Sequence, residues 1–294
     1  RPEITTDMLK QLASVTEYMD FIRDLCGDQD CSDPMLQGEE QLRRNLLDAP
    51  GRSPYRVWGT FEGDKLIGLF SFLILEEESY LEMLAGLTRV KTAWEELLAC
   101  LKADYPGYEA DFVFNPRNNL LHTLLLAEKA EFDPEQQKMV LKRAVPCQSS
   151  RRAALYSAPY REQYIAIHRD EGRYWTAEKV LAAPGRFRVL LAIEAGQVVG
   201  YTDVTCAQDE NEFYDVFVKK EFRRKGYGKA MLARAIECNG PGGMMALVDA
   251  GDAASVGLYE ALGFLPSAGE NSITARVRLL MKRRCAIWDV RWRR

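Results

Sequence analysis

Residues 211–229 have the sequence NEFYDVFVKKEFRRKGYGK, and residues 252–264 have the sequence DAASVGLYEALGF. The first stretch begins with a segment rich in aromatic and β-branched side chains, which is typical of a strand. A charged turn follows, then an R-x-x-G-x-G sequence, and then a segment with the apolar spacing of a helix. These residues therefore predict a strand that leads into a helix through a glycine-rich turn.

This turn is suited to binding an anion. The N–H groups at the start of a helix point to one place, which is also the positive end of the helix dipole. Gly226 and Gly228 have no Cβ, so a ligand oxygen can approach the backbone closely. Positively charged side chains flank Tyr227 and both glycines, and they are Arg223, Arg224, Lys225 and Lys229. The predicted ligand is a polyanion, most simply a pyrophosphate.

Two common phosphate-binding motifs do not fit this turn. The chain has no G-x-x-x-x-G-K-[ST] sequence at this point. The dinucleotide fingerprint G-x-G-x-x-G is incomplete, because Met231 stands where its third glycine would be.

The turn and the downstream D-x-x-S-x-x-L-Y-x-x-x-G-F pattern together resemble the coenzyme A site of the GNAT acetyltransferase superfamily. The order of strand, R-x-x-G-x-G, helix, strand and Leu-Tyr is similar to that family throughout. Two positions depart from its usual pattern: Asp252 stands where the family usually has asparagine, and Ser255 stands where it often has alanine. The resemblance implies acetyl transfer from acetyl-CoA directly to an amine.

The same resemblance implies which residues hold the cofactor. Backbone groups at the end of the strand would pair with the pantetheine arm, and one N–H would polarise the thioester carbonyl. Tyr259 matches the family tyrosine that protonates the departing thiolate. The expected cofactor-binding residues are Val216, Phe217, Val218, Arg223, Arg224, Lys225, Gly226, Tyr227, Gly228, Lys229, Asp252, Ser255 and Tyr259.

The catalytic base is left open between two carboxylates and a chain of water molecules. Glu212 matches the position of the base in histone-type family members. Asp215 is the second candidate. Side chains alternate along a strand, so we expect these two residues on opposite faces, with only one of them toward the acceptor.

Composition sets limits on other functions. The net charge of −4 disfavours binding to nucleic acid. No apolar run in the chain approaches the length of about 20 residues that is needed to span a bilayer. Seven dispersed cysteines suggest reduced thiols and a cytoplasmic protein, and two histidines offer little for a His/Cys metal site, so we expect no metal.

A repeat organises the whole chain. Residues 55–57 correspond to residues 187–189, and Gly68 corresponds to Gly200, at a constant offset of 132 positions without a gap. We therefore expect an α/β (α+β) protein of two tandem GNAT-like domains, residues 1–145 and 146–294, each a mixed, mostly antiparallel sheet flanked by helices. Trp94 and Glu96 take the places of Gly226 and Gly228 in the first half, which predicts a degenerate domain without cofactor.

The sequence thus predicts an N-acetyltransferase that uses acetyl-CoA, acts on a small-molecule amine or a peptide amino group, and is a monomer or a homodimer. The alternatives are a sensor that binds acyl-CoA without turnover and an acyltransferase that uses another acyl-CoA. Within the first half, residues 4–25 have helical spacing. The basic and aromatic segment 283–294 is expected to dock on its own domain or on a second subunit.

Overall fold

The computed structural model describes residues 8–171, 175–240 and 242–280. The chain divides into two compact units. The first contains the chain up to Asp133 and the segment from Ser272 onward, and the second contains Pro134–Asn271. The expected docking of residues 283–294 lies outside the described residues.

Each unit contains one sheet, with helices contributed by the segments between its strands. The strands are β1 Met8–Gln11, β2 Tyr55–Glu62, β3 Lys65–Leu75, β4 Tyr80–Leu87, β5 Glu109–Phe114, β6 Glu131–Phe132, β7 Gln136–Leu141, β8 Ala153–Leu155, β9 Phe187–Glu194, β10 Gln197–Thr205, β11 Glu210–Val218, β12 Gly243–Asp249, β13 Phe264–Pro266 and β14 Ile273–Arg278. The helices are α1 Met19–Cys26, α2 Glu39–Leu42 (continued by a π-helical turn, Arg43–Leu47), α3 Lys91–Asp104, α4 Asn119–Ala127, α5 Arg161–Ile167, α6 Ala177–Ala182, α7 Tyr227–Cys238 and α8 Ala253–Glu260.

Both sheets have seven strands and the same arrangement. The first has the order β1-β2-β3-β4-β5-β14-β6, and the second has the order β13-β7-β12-β11-β10-β9-β8. In each sheet a single parallel pair, β4 with β5 or β11 with β12, stands among antiparallel pairs. The predicted fold class is confirmed, because each unit is a mixed, mostly antiparallel sheet flanked by helices.

The two sheets exchange one strand each. β14, from the end of the chain, pairs with β5 and β6 of the first unit. β7, from the first half of the sequence, pairs with β12 and β13 of the second unit. The compact units therefore differ from the predicted domains, which divide the chain between residues 145 and 146. Strand pairing between distant segments causes this difference, and a pattern that is local in sequence does not reveal it.

Each exchanged strand carries a cation that its new sheet neutralises. On β14, Arg276 donates two hydrogen bonds of 2.8 Å to the Asp111 carboxylate, which lies opposite it on β5. On β7, Lys138 lies 2.8 Å from a carboxylate oxygen of Glu210 and 3.1 Å from one of Glu270. Met139, next to Lys138, is fully buried in the second core. Side-chain charge and apolar burial thus both hold the strands in place.

The repeat is present, but its offset is not constant. The first hairpins correspond at 132 positions, since Glu62 pairs with Lys65 and Glu194 pairs with Gln197. At the parallel pair, Glu82 on β4 corresponds to Glu212 on β11, an offset of 130. The expectation of an uninterrupted alignment is therefore wrong, because β3 has 11 residues and its counterpart β10 has 9, whereas the turns on both sides of these strands have equal lengths.

The expected helix over residues 4–25 is also wrong in its first part. Residues 4–7 lie outside the described residues, and Met8–Gln11 form an edge strand that pairs with β2. Helical structure begins only at Thr16 and continues into α1. The exposed edge of β2 offers backbone hydrogen bonds that outweigh local helical spacing. Among the described residues, no helix is long and apolar enough to cross a membrane.

The strand exchange predicts how fragments behave. A fragment of residues 134–271 contains every strand of the second sheet, so we expect it to fold and to unfold cooperatively in urea. A fragment of residues 146–294 lacks β7, which leaves β12 and β13 without their common partner, and we expect it to aggregate. Circular dichroism and size-exclusion chromatography of both fragments make the comparison. Equal stability of the two fragments would contradict the role given to β7.

Candidate functional site

The second sheet opens between its two parallel strands. Their ladder joins Glu210–Glu212 to Gly243–Met245 and ends there in the described chain, although both strands continue. β11 continues along β10 to Val218, and β12 continues along β7 to Asp249. The carbonyl of Val216 points into the resulting gap, where the Nη2 atom of Arg169 donates to it over 3.2 Å. A strand residue directs its N–H and C=O groups to the same side, so the Val216 amide faces the gap as well.

The glycine-rich turn lies between the end of β11 and the start of α7. Gly226 caps the helix in the left-handed conformation, with φ of +84°, which other residues rarely adopt. Arg223, Arg224 and Lys225 are exposed around it. Tyr227 differs from this set, because its side chain is buried and only its backbone faces the turn. The turn therefore combines the first amides of a twelve-residue helix with exposed positive charge.

Arg152 joins this turn from a distant part of the sequence. Its Nη1 atom donates to the Lys225 carbonyl over 2.8 Å, and its guanidinium lies 4.3 Å from the centre of the Tyr227 ring. Sequence reasoning missed this residue, since it lies 74 positions before Gly226 and belongs to no motif. Only the folded chain adds this cation to the turn.

The residues before Tyr259 form the start of α8. One carboxylate oxygen of Asp252 accepts hydrogen bonds of 3.1 Å from the amides of Ala254 and Ser255, and the other accepts one of 2.6 Å from the Ser255 hydroxyl. These bonds lower the pKa of Asp252, and the Ser255 hydroxyl has the largest effect. Asp252 and Ser255 therefore cap the helix that carries Tyr259.

Tyr259 is buried beside the strand that carries both candidate bases. Its ring lies 5.7 Å from that of Phe213 and 5.3 Å from that of Phe264. Burial raises the pKa of its phenol, and the charges of Glu212 and Asp215 raise it further. The phenol therefore stays protonated at neutral pH and can donate its hydrogen to a developing anion.

A bulge in β11 changes the predicted orientation of the two carboxylates. Asp203 pairs with Asp215 and Val204 pairs with Phe213, so Tyr214 is an extra residue. Phe213 packs toward Tyr259, whereas the Tyr214 ring lies 5.6 Å from that of Phe187, in the core on the other face. Asp215 bonds to Tyr201 on that same face.

Glu212, adjacent to Phe213, faces this side too. The expectation of opposite faces is wrong, because a bulge interrupts the alternation.

Residues 185–266, which contain this gap and this turn, match the family model described as acetyltransferase (GNAT) domain. The chain carries a GNAT acetyltransferase domain. This family assignment indicates acyl transfer from an acyl-coenzyme A. No curated protein matches the sequence.

Solved structures extend the similarity from the GNAT domain to the whole chain. A GCN5-related N-acetyltransferase from Sphaerobacter thermophilus has a TM-score of 0.64 at 14% identity, over 93% of this chain and 96% of its own. A tandem GNAT protein from the clavulanic acid biosynthesis pathway has a TM-score of 0.57 at 13% identity, over 94% of this chain and 100% of its own. At such identities the likeness shows a tandem GNAT fold.

Asp215 of the GNAT domain is already engaged by two protein donors. One carboxylate oxygen accepts from Arg169 and the other accepts from the Tyr201 hydroxyl over 2.5 Å. The Asp215 side chain is 3% exposed, whereas that of Arg169 is 47% exposed. Both carboxylate oxygens are therefore occupied by donors of the protein itself, which makes Asp215 a poor candidate for the base.

A second polar cluster lies beside this pair, and no motif in the sequence pointed to it. The buried Asp203 accepts from the Tyr164 hydroxyl over 2.9 Å and lies 2.8 Å from Nε2 of His168. The other ring nitrogen of His168 bonds to Asp170. Burial opposes protonation of His168, but the bonds to the two aspartates outweigh it and raise its pKa.

His168, Asp203 and Asp215 place one ligand atom each within 4.8 Å of one another, which is close enough to hold a metal ion. The carboxylate oxygens already accept from Tyr164, Tyr201, His168 and Arg169, and a guanidinium at this place repels a cation. The residues present therefore fit a protein-only network better than a metal centre.

The first unit has the same gap without the glycine-rich, positively charged turn. Only residues 88–90 connect β4 to α3, whereas residues 219–226 connect β11 to α7. Trp94 is fully buried, and a Cβ on Gly86 would come within 2.5 Å of its ring. The Gly86 amide, which corresponds to that of Val216, donates to the Asp33 carboxylate over 2.7 Å. In this unit, the protein's own side chains occupy the gap.

The His168 cluster predicts a pH-dependent stability. A pKa raised on folding stabilises the protein below the unfolded value of about 6.5, and this contribution is lost as pH rises through the folded pKa. We expect the free energy of unfolding to fall more steeply between about pH 6 and pH 8 in the wild type than in His168→Gln. Urea titrations at several pH values measure how the free energy of unfolding changes with pH. His122→Gln, in the first unit, should keep the wild-type slope, and an unchanged slope in His168→Gln would contradict the assignment.

Proposed function

We propose that the chain is an acetyl-CoA-dependent N-acetyltransferase with one cofactor site, in the second unit. The observation that carries this proposal is the gap between β11 and β12, which has the positively charged turn at one end. Tyr259 and Glu212 lie beside the place where the gap begins. A pantetheine arm requires an extended channel with unpaired backbone groups, and a pyrophosphate requires amides and cations at its end.

The turn supplies the site for the pyrophosphate. Its amides from Gly226 to Lys229 bind the phosphate oxygens, and Arg223, Arg224, Lys225 and Arg152 contribute charge. The pantetheine arm pairs with Val216 and Val218 as an added strand would, whereas the backbone groups of Phe217, between them, face β10. Asp252 and Ser255 act through the cap of α8 rather than through the phosphates, because their polar atoms bond to each other and to the helix amides.

The Val216 amide is the donor for the thioester carbonyl. The support comes from the first unit, where the corresponding Gly86 amide binds a carboxylate oxygen of Asp33. In the first unit, the amide at this position of the gap thus donates its hydrogen bond to an anionic oxygen. A preorganised amide of this kind stabilises the oxyanion of a tetrahedral intermediate, and its removal costs about 10²–10³ in rate in comparable sites.

The reaction then assigns one role to each side chain. Glu212 accepts a proton from the acceptor ammonium, and the neutral amine attacks the thioester carbon. The carbon–sulfur bond breaks, and Tyr259 donates its hydrogen to the departing thiolate. The attacking nitrogen loses its second proton through water to the resulting phenolate, which restores the phenol and leaves the acetyl group on nitrogen as a neutral amide. Asp215 holds Arg169 and Tyr201 in place and takes no proton. A chain of water molecules between the amine and Glu212 fits the same scheme.

The first unit has no cofactor role in this proposal. It lacks the residues that would bind phosphate between β4 and α3, and Trp94 and Asp33 fill its gap. Its carboxylate Glu82 corresponds to Glu212, and burial raises its pKa. Because the gap beside Glu82 is filled, the proposal gives this residue no catalytic role.

Binding of acetyl-CoA tests the site. We expect acetyl-CoA at about 100 times its Kd to stabilise the wild type by about 2.7 kcal/mol, a clear rise in melting temperature. Arg152→Ala removes a charged hydrogen-bond donor and should weaken binding about 10- to 100-fold in calorimetry. Its exposed neighbour provides the control, since Arg151→Ala should bind as the wild type does. Equal affinity of both variants for acetyl-CoA would show that Arg152 does not contribute to the cofactor site.

Turnover tests the chemistry. We expect Tyr259→Phe to lower kcat by about 10²–10⁴ while the Kd of acetyl-CoA stays within about twofold of the wild type. Glu212→Gln should lower kcat mainly at low pH, where the acceptor amine is protonated. Release of free thiol with a panel of primary amines measures both variants. Binding of acetyl-CoA without thiol release from any amine would instead support the sensor, and release only from longer thioesters would support another acyl-CoA.

A further inference from the structure

We propose that the acceptor is an amine with a carboxylate on the adjacent carbon, of the α-amino acid class, and that Arg169 binds this carboxylate. This inference rests on the proposed function and specifies its substrate. The observation behind it is a half-exposed guanidinium held at the gap, on the face of β11 that carries Glu212.

Arg169 is fixed by its neighbours in sequence and in space. His168 is anchored to Asp203, and Asp170 accepts a hydrogen bond of 2.8 Å from the Ala177 amide at the start of α6. The Arg169 amide itself donates to the Tyr201 hydroxyl over 3.1 Å. An arginine held in this way loses little conformational entropy when it binds a ligand.

The guanidinium retains donors for an anion. Its Nη2 atom bonds to Asp215 and to the Val216 carbonyl, while nearly half of the side chain is exposed. A guanidinium has five N–H donors in a planar fork, and the fork matches a carboxylate. The buried Asp215 compensates the charge of Arg169, so this pair does not repel the ammonium group of an acceptor.

The position of Arg169 sets the distance between the two groups of the acceptor. The guanidinium contacts the carbonyl of Val216, the residue whose amide is proposed to hold the thioester. A carboxylate bound to Arg169 therefore lies within a few bonds of the nitrogen that attacks the thioester. An α-amino acid has this short separation, whereas a polyamine or a peptide lysine has no anion so near its amine.

An aromatic surface on the same face indicates a suitable probe. The bulge directs Tyr214 to the side of Arg169, where its side chain remains 37% exposed and its ring packs on Phe187. The Arg169 guanidinium lies over the Phe217 ring, 5.5 Å from the ring centre. Planar apolar side chains stack well on such a surface, so L-phenylalanine is the first acceptor to test.

The experiment compares three acceptors with the full chain and saturating acetyl-CoA: L-phenylalanine, L-phenylalaninamide and 2-phenylethylamine. We expect kcat/KM of the wild type to be highest for L-phenylalanine, by about 10- to 100-fold. The amine of L-phenylalaninamide is less basic than that of L-phenylalanine and loses its proton more easily. A preference for L-phenylalanine therefore cannot result from easier deprotonation of its amine. Arg169→Met should remove this preference through a higher KM for L-phenylalanine alone.

Two variants keep the result interpretable. Arg161→Met is the control, because Arg161 is 48% exposed on α5 and forms an ion pair of 3.0 Å with its neighbour Glu162. Arg169→Lys keeps the charge next to Asp215 and should restore part of the preference, which a folding defect would not do. Near-ultraviolet circular dichroism verifies the fold of each variant.

Other results overturn the inference. Equal use of all three acceptors, or an equal loss for all of them in Arg169→Met, would show that no carboxylate is recognised, while acetyl transfer itself would leave the proposed function standing. Transfer to none of the three, with acetyl-CoA bound and other amines acetylated, would exclude this acceptor class. Failure of the proposed function has a separate signature, which is the absence of acetyl-CoA binding in the earlier test.

Discussion

The early end of the ladder between β11 and β12 is the constraint on which the site depends. Two parallel strands that separate after Glu212 and Met245 leave backbone groups that must find other partners. At Val216 one such group, the carbonyl, accepts a hydrogen bond from Arg169. The same separation makes room for an extended ligand, because such a ligand can form hydrogen bonds with the backbone of the separated strands, as a neighbouring strand would.

The first unit meets the same constraint in a different way. Its parallel ladder also joins three residues of β4 to three of β5, and the Gly86 amide beyond it is satisfied by Asp33. Burial raises the pKa of Asp33 to about 7, against two amide hydrogen bonds that lower it. Trp94 fills the remaining space. The same ladder thus ends against Asp33 and Trp94 in one unit and against the Arg169 guanidinium in the other.

The exchange of β7 and β14 connects the sequence halves more closely than a duplicated domain requires. Each sheet is completed by a strand from the other half, and each of these strands brings a cation, Lys138 or Arg276, to carboxylates of its host. A cut at the apparent midpoint of the chain removes an interior strand from each sheet. The fragments that fold are defined by strand pairing and not by the repeat in the sequence.

Much of the fold and part of the site could be predicted from local signals. The hairpins, the helices that follow them and the glycine-rich turn have spacings that few other structures share, and the structure contains them. Gly226 has the left-handed conformation expected of a glycine at such a turn. Arg152, Arg169 and the His168 cluster could not be predicted, because each bonds to a residue between 35 and 73 positions away.

The sequence by itself determined that the chain is a duplicated α/β protein with a glycine-rich, positively charged turn in its second half, because alternation, helical period and glycine placement are properties of neighbouring residues. The tertiary structure alone decided three further features. It paired β7 and β14 with distant strands, it introduced the bulge at Tyr214 that brings Glu212 and Asp215 to one face, and it placed Arg169 against Asp215. These features depend on hydrogen bonds and charges between segments far apart in the chain, for which the local pattern of residues contains no signal.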